Sequence, residues 1–329
     1  MAEVGVGIVG CGLIGRKRAA ALEGARLVAC TDVDPARAQA LAASTGAQVC
    51  PTPEDLCRRS DVDIVIVSTT HDALTPVGLC ALKSGKHVLV EKPAARTPAE
   101  LEAFIEAERA SGRCVRVGFN HRYHPAFRRA RELLEQQVLG PLMMVRARYG
   151  HGGRLGYERE WRADPVRSGG GELIDQGVHL IDLARWFLGE FRYVYGQVAT
   201  LFWKMPVDDN AFLLLRTAEG QVAFLHASCT EWKNLFSFEV YGRDGKLHIE
   251  GLGGSYGVER LAWYRMKPEM GPPDTTIWEY PGPDESWRLE FREFLEDIRL
   301  GRTPSPGLAD AWAVLKIVDT VYRAAGWRS

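Results

Sequence analysis

Short apolar runs alternate with helix-compatible segments over the first 118 residues, and this alternation restricts the fold more than any other feature of the sequence. The apolar runs are 4–9, 27–31, 63–67, 87–90 and 114–118, and the helix-compatible segments are 13–22, 35–44, 73–84 and 98–111. Strands separated by helices predict parallel βαβ units with helices on both faces of a sheet. We therefore expect an α/β chain that begins with a doubly wound parallel sheet.

The pattern changes after residue 120. Helices are expected at 125–136, 172–188, 287–300 and 308–325, strands at 142–149 and within 193–249, and loops at 150–171 and 266–285. Long β-like runs broken by turn signals favour a large open, mostly antiparallel sheet. We predict two α/β domains, 1–122 and 123–329, with the helix at about 308–325 packing back on the first.

A glycine motif follows the first apolar run. Gly10, Gly12 and Gly15 fit G-x-G-x-x-G, with Leu13 and Ile14 between the last two. The first glycine permits a tight turn, the second lets a pyrophosphate approach the backbone, and the third lets helix and strand pack closely. The N-terminus of the next helix favours phosphate. The motif predicts a Rossmann dinucleotide-binding domain, and the alternative is a purely structural glycine turn.

An acidic residue ends the second apolar run. Asp32 lies about 20 residues beyond the second glycine, where an acid accepts the ribose hydroxyls of an adenosine. A carboxylate there repels a 2′-phosphate, so NAD is favoured over NADP. Arg37 lies nearby and can tolerate a 2′-phosphate, so this preference is moderate. The alternative for Asp32 is a helix-capping role.

Two further groups of polar residues lie outside the nucleotide motif. Lys92, between Glu91 and Pro93, ends an apolar strand at the edge where open α/β sheets bind ligands. Asp175 and His179 are four residues apart on a predicted helix and share one face. The plainer alternatives are an exposed strand-end lysine and a structural ion pair on the helix.

Composition gives no support to several classes of function. The net charge is −1 and the pI about 6.7, with no basic stripe for nucleic acid or acidic membrane surfaces. The seven cysteines form no CxxC pair, which favours reduced thiols in a cytoplasmic protein. The sequence has no signal peptide pattern and no apolar run of about 18 residues, so we expect no membrane segment. We expect no metal, because loop histidines are seldom ligands.

The glycine motif, the strand-end Glu91-Lys92-Pro93 and the pair Asp175 and His179 after three glycines together resemble the Gfo/Idh/MocA oxidoreductases. The resemblance covers essentially the whole chain. It implies a Rossmann domain followed by an α/β domain whose open sheet makes a homodimer or homotetramer interface. It also implies NAD(P)-dependent chemistry on a sugar or cyclitol, and a cis Lys92-Pro93 bond.

The resemblance also implies catalytic roles. His179 is expected to be the general acid/base, since histidine ordinarily titrates near pH 6.5. Lys92 is expected to hydrogen-bond the reacting oxygen and stabilise the developing alkoxide. Asp175 is expected to hold the substrate or to orient the other two. The cofactor carries the redox chemistry, while the protein supplies geometry and proton transfer.

Other candidates are less specific. The chain lacks the family's usual Pro-Asn-…-His segment after the fourth strand. His71 stands near the position of the usual asparagine, and Thr75 stands at the position of the usual histidine. Expected cofactor contacts are Ser68, Thr69, His71, Glu91, Lys92 and Asn120, and expected substrate contacts are Lys92, Arg122, Tyr123, Trp161, Arg162, Asp175 and His179. The segment from residue 120 to 125 is alternatively a solvated loop, and Trp161 alternatively pins a mobile loop. Glu91 contacts cofactor, pairs with a basic residue or anchors the turn.

These features predict an NAD-dependent dehydrogenase acting on a secondary hydroxyl of a sugar, nucleotide sugar, aminosugar or cyclitol. Two rival functions are an NAD-dependent glycoside hydrolase of the same family and a non-catalytic NAD-binding regulator. The intact Lys92, Asp175 and His179 argue against the regulator. Retained cofactor without net NADH production would favour the hydrolase.

Overall fold

The computed structural model describes residues 3–328, which form two compact units. The first contains the chain up to Phe119 together with Val166–Gly169 and Trp287–Leu315. The second contains Asn120–Pro165, Gly170–Ser286 and the chain from Lys316 onward. This division differs from the predicted domain limits because residues 287–315 belong to the first unit. The physical reason is the apolar face of the helix that begins this segment, which packs in the core of the first sheet.

The elements in chain order are β1 (Val4–Val9), α1 (Leu13–Ala20), β2 (Ala25–Thr31), α2 (Pro35–Thr45), β3 (Gln48–Val49), α3 (Pro53–Arg58), β4 (Ile64–Val67), α4 (His71–Lys83), β5 (His87–Glu91), α5 (Pro98–Ser111), β6 (Val115–Gly118), α6 (Pro125–Glu135), β7 (Leu142–Gly150), α7 (Pro165–Ser168), α8 (Val178–Leu188), β8 (Phe191–Ala199), β9 (Asn210–Thr217), β10 (Val222–Ser228), β11 (Leu235–Gly242), β12 (Gly245–Glu250), β13 (Glu259–Arg265), β14 (Asp274–Tyr280), α9 (Ser286–Leu300) and α10 (Leu308–Ala324). A π-helical turn, Leu173–Gly177, directly precedes α8. Short 3-10 turns cover Asn120–Tyr123, Tyr157–Arg159 and Trp161–Ala163.

The first unit is built on a six-stranded parallel sheet in the order β3-β2-β1-β4-β5-β6. Its strands are almost fully apolar because helices cover both faces. The core includes Ile8, Ile66 and Leu89 from the strands and Phe291 and Phe294 from α9. The strand order reverses between β1 and β4, which is where open α/β sheets bind ligands.

The second unit is built on an eight-stranded sheet in the order β14-β13-β12-β11-β7-β10-β9-β8. All neighbouring strands are antiparallel except β7 and β10, which are parallel. The predicted combination of a doubly wound parallel sheet and a large, mostly antiparallel sheet is therefore confirmed.

Two parts of the second unit differ from the sequence-based expectation. The proline-rich segment 266–285, expected to be a loop, contains β14 at the edge of the sheet. Most residues of β14 are exposed, so the strand lacks the alternating apolar pattern that identifies a half-buried strand. The expected loop 150–171 contains the two later 3-10 turns and α7. Strand β13, which lies beyond the expected β region, also had no strong sequence signal.

Candidate active site

Four parallel strands of the first unit end level with one another. Val9 pairs in register with Thr31 and with Val67, and Val67 pairs with Val90. The residues that follow these strand ends are the glycine turn, Asp32, Ser68 and, after one more residue, Lys92. The parallel arrangement therefore brings most of the residues predicted to bind the cofactor to one edge of the sheet.

The three glycines of the turn have different surroundings. Gly10 has a φ of 94°, and a Cβ atom there would lie 2.4 Å from the carbonyl oxygen of Ser68. A Cβ atom at Gly15 would lie 2.0 Å from the carbonyl oxygen of Gly10. At Gly12 a Cβ atom would meet nothing within 4 Å. The first and last glycines thus let the strand and α1 pack closely, while the middle one leaves open space beside the backbone.

This open space lies at the N-terminus of α1. Gly12 is the N-cap residue and has no side chain with which to cap the first N–H groups of the helix. Leu13 is largely exposed and Ile14 is half-buried at the same end. Uncapped N–H groups beside an open glycine suit the pyrophosphate of a dinucleotide. The residues present therefore fit NAD.

Asp32 is held beside the glycine turn by two backbone groups. The N–H of Cys11 donates to its Oδ2 over 2.6 Å, and the N–H of Asp34 donates to its Oδ1 over 2.8 Å. The residue that caps α2 is Asp34, which accepts from the N–H of Ala36. The capping alternative for Asp32 is therefore wrong. Arg37 is exposed and pairs with Asp34 at 3.2 Å.

The end of β4 is tied to the glycine turn. The hydroxyl of Ser68 donates to the carbonyl oxygen of Gly10 over 2.7 Å, and that of Thr69 donates to the carbonyl oxygen of Thr70. His71 begins α4, is 4% exposed and has its Nδ1 2.8 Å from the carbonyl oxygen of Ser168. The hydroxyl of Thr75 donates to the carbonyl oxygen of Ala94. Ser68 and His71 thus have structural partners at the predicted cofactor wall.

Lys92 follows the last residue of β5 and is half-buried, and the Lys92-Pro93 bond is cis, as the family resemblance implied. Its neighbour Glu91 is buried and accepts from Nε of Arg18 over 2.7 Å. Arg18 also pairs with Glu290 and lies over the ring of Trp287. Of the three roles left open for Glu91, pairing with a basic residue is the one that the structure supports.

Arg18, Glu91 and Glu290 form one buried group, in which burial by itself raises the pKa of Glu290 and lowers that of Arg18. The attraction of Arg18 only partly offsets the rise in the pKa of Glu290. For Arg18, burial opposes the charged form, but the two carboxylates outweigh burial and raise its pKa. The group therefore retains a charged guanidinium in the interior, which is stable there only because carboxylates accompany it.

In the second unit, Asp175 lies within the π-helical turn and His179 lies in the first turn of α8, and both are buried. Short π-helical segments are frequent at functional sites. The preceding glycines permit close packing, since a Cβ atom at Gly171 would lie 1.8 Å from the carbonyl oxygen of Asp208. A Cβ atom at Gly170 would lie 2.2 Å from the hydroxyl oxygen of Tyr322.

Asp208 organises the beginning of this helix. Its carboxylate accepts from the N–H groups of Gly171 and Leu173 and from the hydroxyl of Tyr322, at 2.7–2.9 Å. Complete burial raises the pKa of Asp208 to about 6, against the lowering effect of these three donors. Asp208 therefore fixes the backbone that leads into Asp175.

The predicted substrate residues Arg162 and Asp175 meet in the structure. Nε of Arg162 donates to Oδ2 of Asp175 over 2.7 Å, and the guanidinium lies over the ring of Trp161 at 4.6 Å. The charge of Asp175 raises the pKa of Arg162. This cluster offers donors, an acceptor and an aromatic face, which suit a polyhydroxylated ligand. The same contacts hold Arg162 in place.

Residues 120–123 form a 3-10 turn that is buried together with His124, so the alternative of a solvated loop is wrong. Asn120 donates to Ser286, and the ring of His121 stacks on that of His179 with centroids 3.7 Å apart. Nε of Arg122 donates to Asp182 over 2.8 Å, and Tyr123 is 2% exposed. These contacts favour structural roles for Arg122 and Tyr123 over the predicted substrate contacts.

Sequence reasoning missed several polar residues. Glu172 accepts from the hydroxyl of Tyr157 over 2.9 Å and lies 3.5 Å from Nε2 of His151. Arg18 and Asp208 were also missed. The one available signal was a charged residue, Glu172, directly after three glycines at the start of an otherwise apolar helix. The partners lie far apart in sequence or in an irregular loop, so no periodic pattern indicates them.

The first unit provides a nucleotide-binding edge. The second unit provides the buried Asp175 and His179, with Arg162 paired to Asp175. Within residues 3–328 no group of histidine, cysteine and acidic side chains has the geometry of a metal site. Over the same residues, no helix combines the length and apolarity needed to cross a membrane.

Comparison with known proteins identifies the two parts of the chain. Residues 4–119 match the model of the oxidoreductase family with an NAD-binding Rossmann fold. Residues 127–248 match the model of the GFO/IDH/MocA C-terminal domain. The first unit thus carries an NAD-binding domain, in agreement with the fit of the glycine turn and Asp32.

Several relatives align over most of the chain. An inositol 2-dehydrogenase of Ralstonia nicotianae is 33% identical, with 97% of this chain and 93% of the relative covered. Inositol 2-dehydrogenase 3 of Saccharopolyspora erythraea is 32% identical, with 98% and 93% covered. A levoglucosan dehydrogenase of Pseudarthrobacter phenanthrenivorans is 25% identical, with 82% and 79% covered.

Solved structures share the fold. Levoglucosan dehydrogenase in complex with NADH and levoglucosan superposes with a TM-score of 0.90 at 22% identity, covering 99% of this chain and 98% of the other. GenD2 from gentamicin A biosynthesis, in complex with NAD, gives a TM-score of 0.85 at 25% identity, covering 99% and 95%. The first likeness concerns the fold alone.

Proposed function

This chain belongs to the Gfo/Idh/MocA family of NAD-binding oxidoreductases, and from this premise we propose that it is a dehydrogenase of secondary hydroxyl groups. The proposed substrate is a sugar, nucleotide sugar, aminosugar or cyclitol. Relatives named inositol 2-dehydrogenase and levoglucosan dehydrogenase support this class.

The observation that carries the proposal is that Arg162 pairs with the buried Asp175, which precedes the buried His179 by four residues in the second unit. Asp175 is 5% exposed and His179 is 4% exposed, and one guanidinium nitrogen lies 2.7 Å from the carboxylate. Buried charged groups are costly unless they are paired, and such clusters are concentrated at functional sites. A ligand rich in hydroxyl groups can both donate to and accept from this set.

In the proposed mechanism, His179 removes the proton from the reacting hydroxyl in the direction of oxidation and returns it in reduction. The ammonium of Lys92 donates a hydrogen bond to the same oxygen and stabilises its developing negative charge. Asp175 accepts from a substrate hydroxyl while Arg162 holds its carboxylate in position. NAD, when bound, supplies the hydride acceptor.

We assign the cofactor contacts to the edge of the parallel sheet. Gly12 and the first N–H groups of α1 would take the pyrophosphate, and Asp32 would accept from the adenosine ribose. The two backbone donors on Asp32 leave further lone pairs on both oxygens, since each carboxylate oxygen accepts about two hydrogen bonds. A negative carboxylate there disfavours the 2′-phosphate of NADP.

The proposal includes a homodimer or homotetramer formed through the second sheet. Tyr195, Leu214 and Phe224 are opposite one another on β8, β9 and β10 and are 60%, 48% and 43% exposed. A row of exposed apolar side chains on one face of a sheet is characteristic of an interaction surface.

All seven cysteines are free thiols, which supports the proposed location in the cytoplasm.

The test is a screen of NAD and NADP against sugars, nucleotide sugars and cyclitols, in which turnover is monitored by the absorbance of NADH. We expect turnover with at least one polyol and NAD, and loss of that turnover in His179→Asn. Cofactor that remains bound through purification, with no net NADH from any polyol, would instead support a hydrolase. NAD binding without any turnover would support a regulator.

A further inference from the structure

The irregular segment from Gly150 to Ala163, here called the arginine loop, carries Trp161 and Arg162. Much of it is polar and accessible, since Leu155 is fully exposed and the side chains of Arg154 and Arg159 are 68% and 81% exposed. A segment with few buried apolar side chains opens at low free-energy cost unless specific contacts hold it.

Two acids at the start of the helical segment hold this loop. Asp175 accepts from Arg162, and Glu172 accepts from Tyr157 over 2.9 Å and lies 3.5 Å from His151. Nδ1 of His151 lies 3.0 Å from the backbone nitrogen of Gly153 and accepts from that N–H in the neutral form of the ring. Glu172 is 1% exposed, so its contacts are made out of water, where a charge-assisted hydrogen bond is strong.

The aromatic contacts of the arginine loop connect it to a different segment from the polar contacts. Tyr157 lies against Trp203 at 5.6 Å between ring centroids, and a Cβ atom at Gly153 would lie 2.4 Å from Trp203. These contacts place the middle of the loop near the β8–β9 connection. The polar contacts to Glu172 instead connect both the beginning and the middle of the loop to the segment that carries Asp175.

We propose that Glu172 is a positioning residue, which holds the arginine loop through His151 and Tyr157 so that Arg162 meets Asp175. Glu172 does not touch the reacting atoms in this proposal. Its effect on substrate rests on the proposed function, because Trp161, Arg162 and Asp175 are there the substrate contacts. Its effect on the loop does not depend on any reaction.

Because His151 titrates, its contact with Glu172 makes the attachment of the arginine loop depend on pH. Burial disfavours the charged imidazole, but the hydrogen bond and charge of Glu172 outweigh burial and raise the pKa of His151. The charged and titratable groups around His151 are Glu172, Asp175, Tyr157, Arg162, and, on the segment after β10, Cys229 and Glu231. His151 therefore keeps its proton to a higher pH than an ordinary histidine, and we expect its pair with Glu172 to hold the loop less firmly as the pH rises.

The experiment is limited proteolysis with trypsin at the Arg154-Leu155 bond, which is exposed in the arginine loop. Cleavage of the wild type, Glu172→Gln, His151→Asn and Tyr157→Phe is measured from pH 6 to 9 and divided by the rate on a small peptide substrate. We expect Glu172→Gln to be cleaved about tenfold faster at pH 6, the size of one lost charge-assisted hydrogen bond. Cleavage of the wild type should rise with pH, and that of His151→Asn should not.

The matched control is Glu190→Gln, an acid-to-amide change at an exposed residue that pairs with Arg185. It should leave cleavage unchanged. Equal cleavage of Glu172→Gln and this control, or the same pH dependence in His151→Asn and wild type, would overturn the proposal. If Glu172→Gln does not fold, Tyr157→Phe and His151→Asn decide the question by the same readout.

A kinetic arm separates this proposal from the proposed function. On a polyol found in the screen, Glu172→Gln should raise KM several-fold and leave the Kd of NAD unchanged. If no polyol is turned over, the proposed function fails while the proteolysis result still stands. If turnover occurs and Glu172→Gln alters neither cleavage nor KM, the positioning role fails while the dehydrogenase remains.

Discussion

Arg18, on the helix that follows the glycine turn, donates from Nε to the carboxylate of Glu91 over 2.7 Å, and both side chains are buried. The contact joins α1 to the end of β5, one residue before Lys92. Glu91 and Lys92, the two charged residues at the end of this apolar strand, therefore have different roles. Glu91 pairs with Arg18 at the strand end, and Lys92 contacts the substrate in the proposed mechanism.

Lys92→Ala should lower kcat by about 100-fold on the substrate identified by the screen, because one hydrogen bond to the developing alkoxide is lost. The Kd of NAD should stay nearly constant, since the glycine turn and Asp32 are unchanged. Steady-state kinetics and calorimetry measure the two quantities. Lys83→Ala, at an exposed helix end, is the control. A loss below tenfold would remove Lys92 from the proposed role.

Asp32→Ala should weaken NAD binding by about tenfold or more, the usual effect of a lost hydrogen bond to a charged group. NADP binding should be affected less, because removal of the carboxylate also removes its repulsion of the 2′-phosphate. Fluorescence titration with both cofactors measures this ratio. Asp34→Ala removes a neighbouring acid that caps α2, and should change stability rather than cofactor preference. Equal effects of Asp32→Ala on both cofactors would refute the ribose contact.

His179→Asn should flatten the dependence of kcat/KM on pH near neutrality, because asparagine has no titrating group to act as acid or base. The pH–rate profile between pH 5 and 9 is the measurement. His248→Asn, on β12 and away from the Asp175 segment, should retain the wild-type profile. A profile unchanged by His179→Asn would show that another group transfers the proton.

Asp208→Asn should change how stability depends on pH. Complete burial raises the pKa of Asp208 from 3.8 to about 6, so between these values the folded protein binds a proton that the unfolded chain does not. The contribution of Asp208 to the free energy of unfolding therefore decreases as pH rises from about 4 to 6, by up to about 3 kcal/mol.

The measurement for Asp208 is urea unfolding at several pH values. The free energy of unfolding of the wild type minus that of Asp208→Asn should fall across this window. For Asp244→Asn the same difference should stay level, because the hydrogen bond from Arg243 lowers the pKa of Asp244 below this range. A level difference for Asp208→Asn would mean that its carboxyl titrates near its ordinary value.

Phe224→Lys should dissociate the proposed oligomer, because it puts a charge in the exposed apolar row that Phe224 forms with Leu214 and Tyr195. Size-exclusion chromatography with light scattering should give a smaller mass for this variant than for the wild type. Met270→Lys, at a fully exposed apolar residue outside this row, is the control. A wild-type monomer at micromolar concentration would contradict the interface directly.

The sequence by itself determined the order of β1, β2, β4, β5 and β6 with the helices α1, α2, α4 and α5, and the identity of the cofactor, whereas the short elements β3 and α3 were not predicted. Period, glycine spacing and one acid suffice there, because each of these features acts within a few residues of the chain. The turn at Gly10, the open backbone at Gly12 and the position of Asp32 beside them all follow from that local pattern.

Only the tertiary structure decided which residues pair with the buried polar groups around the candidate site. Arg122, which was predicted to contact substrate, donates to Asp182. Glu91 accepts from Arg18. Glu172 and Asp208, which no motif indicated, anchor the segment of Asp175. A buried charge must be paired, but its partner is chosen by packing between segments far apart in sequence, which no local pattern encodes.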